Sequence, residues 1–107
     1  MDQPLEEIMK LASQCSNALR ETARQYHDGT TPIDLQEGFV QRAISQVAAW
    51  REGYPQFDAY PRNQEARPLT EALQTLQQPL PLTWSQVQRV HDILVMVALE
   101  WSQNPQG

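Results

Sequence analysis

Thr83-Trp84-Ser85-Gln86 tells this chain where one helix must begin. Thr83 and Gln86, three residues apart, are a capping box, in which the hydroxyl and the amide each satisfy a backbone N–H that a helix start leaves without a partner. Leu82 before the cap and Val87 after it stand at the two positions of a hydrophobic staple. The helix then continues to about Gln103, ahead of Pro105, with Val87, Val90, Leu94, Val97, Ala98 and Trp101 recurring at three- and four-residue steps. Its second half is apolar on the outer side as well. With Leu94 at the centre of the buried face, Val95, Met96 and Leu99 project to the far side, among Gln88, Arg89, Asp92 and Glu100.

The rest of the chain carries the same helical period in three further segments. Leu5, Ile8, Ala12, Cys15, Leu19, Ala23 and Tyr26 share one face of a first helix, over about 4–27. Leu35, Phe39, Val40, Ala43, Ile44, Val47 and Trp50 do so in a second, over about 32–52. Thr31 or Asp34 is its predicted cap, and Gly53 its stop. Residues 54–63 have no sustained period and contain Pro55 and Pro61, which predicts a loop. A short third helix follows at about 64–78, starting near Asn63 or at Pro68, with Leu69, Ala72, Leu73 and Leu76 as its stripe. Pro79-Leu80-Pro81-Leu82 predicts an extended connector, because each proline disfavours helix in the residue before it. No segment alternates as a strand would. The expected fold is all-α: a single domain over 1–107, a small antiparallel four-helix bundle of two helical hairpins whose third helix is short.

A chain of 107 residues is long enough to bury a core and fold alone. Its net charge of −5, with Lys10 the single lysine, works against a sequence-independent hold on nucleic acid, which needs clustered cations. One cysteine makes no intrachain disulfide, no N-terminal signal is visible, and the Ile93–Leu99 run is too short to span a bilayer. A cytoplasmic protein without membrane contact is the expectation.

Little here points to catalysis. Cys15, His27 and His91 are the whole inventory of thiol and imidazole, too few and too scattered for a metal site. Cys15 sits on an apolar face between Leu11 and Leu19, where a thiol packs as a small hydrophobe. His91 lies at the margin of the last helix. Its neighbour Asp92 points about 100° away, so the two are not expected to pair well. Arg20-Glu21-Thr22-Ala23-Arg24-Gln25-Tyr26-His27 is similar to the Arg-x(4–6)-His motif of helical ribonucleases of the HEPN class. The resemblance spans these eight residues. It implies that Arg20 and His27, from paired protomers, act on RNA phosphodiesters. Read from the residues alone, both are solvated side chains, and His27 favours the helix dipole.

Binding signals are stronger. Tyr54, Phe57 and Tyr60 recur every three residues among the loop prolines, with Arg62 beyond, and aromatics with Arg dominate binding hot spots. The same rings could instead fold back and cap the end of the core. Val95, Met96 and Leu99 either sit inside a fully surrounded fourth helix or meet another chain. The functional expectation is therefore a small acidic helical module that binds protein, with no catalytic activity and no cofactor: an adaptor, an assembly factor, or a regulatory or immunity-type subunit. Self-association through the fourth helix, as a homodimer, is the simplest use of its outer patch. The alternatives are a HEPN-like ribonuclease or its inactive partner, and an acidic inhibitor of a nucleic-acid-binding protein.

Overall fold

The computed structural model describes residues 3–23, 29–33, 35, 37–54, 58 and 67–103. Among them four helices follow in order: α1 (Gln3–Ala23), α2 (Phe39–Gly53), α3 (Pro68–Leu76) and α4 (Trp84–Gln103). The only β feature among the described residues is an isolated antiparallel bridge between Pro32 and Thr83. The fold is an all-α four-helix bundle with a short third helix, as the periodicity predicts.

The start of α4 is where the capping box puts it. A helix leaves its first N–H groups without intrahelical partners, and here all four find one. Thr83 N donates to Gln86 Oε1 at 2.9 Å, and Gln86 N donates to Thr83 Oγ1 at 3.4 Å. Trp84 N donates to the Thr31 carbonyl at 2.7 Å, and Ser85 N to the Gly29 carbonyl at 3.1 Å. Leu82 and Val87, the staple pair, are both buried in the core.

Those last two bonds explain why α2 starts later than its sequence suggests. The predicted start near residue 32 is wrong; the helix begins at Phe39. Thr31 gives its carbonyl to Trp84, and Ile33 gives its N–H to Leu82 O at 2.8 Å, so this stretch is committed to the bridge with α4 and cannot close helical turns. Gly38, at φ 81° in the left-handed region, then turns the backbone immediately ahead of Phe39. No side chain caps α2, and Asp34 lies outside the described residues.

With residues 24–38 between them, α1 and α2 are not forced side by side. α1 packs along α4, α2 along α3, and α3 along α4. The ends fix the directions. Gly29, beyond the end of α1, meets the start of α4. At the opposite end Trp50 Nε1 of α2 donates to Glu7 of α1 at 3.4 Å, and Tyr54 sets its ring edge against Trp101 of α4, with centroids 5.9 Å apart. The helices therefore alternate in direction, and their stripes meet inside. Ile8, Cys15, Val47, Leu69, Ile93 and Leu94 are among the most deeply buried side chains.

α3 begins at the later of its two possible starts, with Pro68 in its first turn. Its cap comes from a distance. Buried Asp58 accepts from Thr70 N at 3.0 Å and from Thr70 Oγ1 at 2.8 Å, which ties the chain after α2 to the first turn of α3.

Candidate interaction surface

The outer side of α4 carries apolar surface that the core leaves over, at Met96 and Leu99. Among the described residues four large hydrophobics are exposed: Met9 (47%), Leu80 (64%), Met96 (37%) and Leu99 (56%). Three of them belong to α1 and α4. Met96 and Leu99, three residues apart, share the outer side of α4, while Met9 is exposed on α1. On α4, Arg89 leans to the α3 side, where its guanidinium makes a two-point ion pair with Glu71 (Nη2 to Oε1 2.9 Å, and Nε to Oε2). Val95 falls on the other flank, toward α1.

Val95 is thus less of an outer residue than its spacing suggests: it is half-buried and packs against the core. About 100° from Leu94, it lies in the seam that α1 partly covers. Met96 and Leu99 face outward as predicted. Met9 is the residue that the pattern of α1 did not reveal. Its position beside Ile8 is the available signal, since it flanks the stripe on one side.

The aromatic loop separates into two parts. Tyr54 is half-buried, and its ring is engaged against Trp101, so it caps the end of the bundle and drops out of the candidate surface. Phe57, Tyr60 and Arg62 lie outside the described residues. A concavity of about 290 Å³ lies between the start of α2 with the chain before it and the connector before α4, and is lined by Ile33, Leu35, Glu37, Val40, Leu80 and Pro81. Its volume sits at the low end of what small-ligand pockets offer. Leu80, held between two prolines, forms its exposed lip.

The catalytic candidates gain no geometry. Cys15 is buried and burial pushes its thiol up to about 12, the behaviour of a packing residue and not of a nucleophile. Arg20 donates to Ser16 Oγ on its own helix at 3.4 Å, and His27 lies outside the described residues. His91 does meet Asp92, contrary to the sequence expectation: Nδ1 and Oδ1 are 3.2 Å apart, with His91 partly buried and Asp92 exposed. Among the described residues no group of His, Cys, Asp and Glu is placed to hold a metal ion, and no helix is long and apolar enough to cross a membrane.

The sequence matches no protein-family model, no curated protein and no solved structure.

Proposed function

We propose that this chain is a small acidic protein-binding module, an adaptor, assembly factor or regulatory subunit with no catalytic activity of its own, and that it binds through the outer face of α4. One observation carries the reading: among the described residues, two of the four exposed large hydrophobics, Met96 and Leu99, stand within one turn of each other on the outside of α4. Single exposed apolar residues are ordinary, whereas a group of them marks a contact. Methionine suits such a face, because its unbranched side chain adapts to a partner's shape. A lone buried thiol with no intrachain disulfide suits a reducing compartment such as the cytoplasm.

The test is Met96→Glu, with Leu99→Glu beside it. A carboxylate inside an apolar contact is stranded without compensation. Each variant should lose its bound protein, or fall in mass by light scattering, while helical circular dichroism stays that of the parent. A variant that unfolds would show the residue to be core and remove α4 as the binding surface.

A further inference from the structure

Met96 stands in the middle of a row that runs straight along the outside of α4. Asp92 is one turn before it and Glu100 one turn after, so the apolar patch is bracketed by two carboxylates about 12 Å apart along the axis. Among the described residues, Arg89, nearly in line with Met96 on α4, is already bound to Glu71, and His91 Nδ1 lies 3.2 Å from Asp92 Oδ1.

This arrangement discriminates between occupants. A second copy laid antiparallel across Met96 by a two-fold axis sets Asp92 of each chain opposite Glu100 of the other, and a parallel copy sets each carboxylate against its own equivalent. Like charges meet either way, in a chain that already carries −5. A helix with the opposite pattern meets neither penalty. We propose that this face takes a cationic amphipathic helix of another protein, whose apolar stripe seats on Met96 and Leu99 and whose Lys or Arg side chains, about two turns apart, pair with Asp92 and Glu100. The proposal rests on the reading of this face as a binding surface and adds the chemistry of what it binds.

Two synthetic 18-residue helical peptides test it. They share a leucine stripe at i, i+3, i+4 and i+7; one is flanked by lysines, the other by glutamates. Binding to the full chain is followed by fluorescence anisotropy. The lysine peptide should bind, weaken as salt rises, and lose about fivefold in affinity with D92N/E100Q, as two rim ion pairs predict. E37Q/E52Q removes the same charge from the α2 side and should leave binding within about twofold of the parent. M96E should abolish it. Equal binding of both peptides, no binding of either, or indifference to D92N/E100Q overturns the proposal. A parent chain that doubles in mass, and returns to the monomer with M96E, would make the occupant a second copy; that outcome overturns the cationic partner and leaves the binding face standing. If M96E changes neither mass nor any association, both readings fall.

Discussion

The starts of α4 and α2 are set by different means, and the contrast shows what a sequence can disclose. At α4 the residues that end the preceding chain and begin the helix are local: Thr83 and Gln86 cap each other, and Leu82 and Val87 anchor the turn in the core. At α2 no side chain caps the start. Gly38 turns the backbone there in the left-handed region, and backbone bonds tie Thr31 and Ile33 to a segment some fifty residues later in the chain. Local side-chain chemistry can be read in order along the chain, whereas a backbone pairing across the fold cannot. The same two regions are physically joined, so the start of α4 also depends on the strap that delays α2.

The staple offers the largest effect with which to break this account. Leu82 is fully buried and its carbonyl accepts from Ile33, so Leu82→Ala opens a cavity beneath the point where strap and helix meet. A loss of about 2–5 kcal/mol in denaturant unfolding is expected, the range for buried leucine truncations. Amide exchange should quicken at Trp84 and Ser85 as well as locally, since the strap that accepts their N–H groups loses its footing. A loss below about 1 kcal/mol would mean the staple does not hold the two starts together.

The two caps themselves come next. Gly38→Ala forces a side chain into φ 81° and should cost about 1–2 kcal/mol, with Gly38→Asn costing less because Asn tolerates that region. A Cβ there meets only Arg42 Nη1, at 3.3 Å, a flexible tip that can move, so the penalty is conformational and not steric. Thr83→Ala removes the longer of the two box bonds, 3.4 Å, and leaves Gln86 on Thr83 N–H; its cost should lie toward the low end of about 0.5–2 kcal/mol. Equilibrium unfolding of the three variants gives the ranking. A neutral Gly38→Ala would show that the strap alone delays α2.

Much of the bundle is legible because its helices are amphipathic and α4 caps itself. The predicted extent of α4 and most of the four core stripes match the structure, except that Ala23 at the end of α1 is exposed, while Tyr26 and the predicted end of that helix near residue 27 lie outside the described residues. What could not be read has a common cause: it depends on residues far apart in sequence. Asp58 caps α3 from ten positions ahead of Pro68, which no short motif signals. Tyr54 leaves the candidate surface because Trp101 is at the same end of the bundle. The outward placement of Met96 and Leu99 is legible, since it follows from position on one helix alone.

The smallest effect separates a cap from a surface ion pair on the same helix. Arg89 holds the Glu71 carboxyl below the usual glutamate range, chiefly by hydrogen bonding, against the opposing effect of partial burial and with a smaller contribution from charge attraction. Because the folded pKa is depressed, the stabilisation is present above the unfolded value, near 4.3 for glutamate, and disappears as pH falls through the folded one. Both side chains are about half exposed, so solvent screens the pair and its worth is below about 1 kcal/mol. Glu71→Gln should therefore lower stability slightly at pH 7, and the gap from the parent should close as the pH is taken below the glutamate range. Raising salt at pH 7 should also narrow it. Thr83→Ala, which removes a neutral hydroxyl from a helix start, should keep the same deficit across that range. Unfolding of both variants at pH 7 and near pH 3 gives the comparison. A Glu71→Gln deficit that persists unchanged in acid would mean that the side chain acts through packing against α4 and that the charge pair contributes nothing measurable.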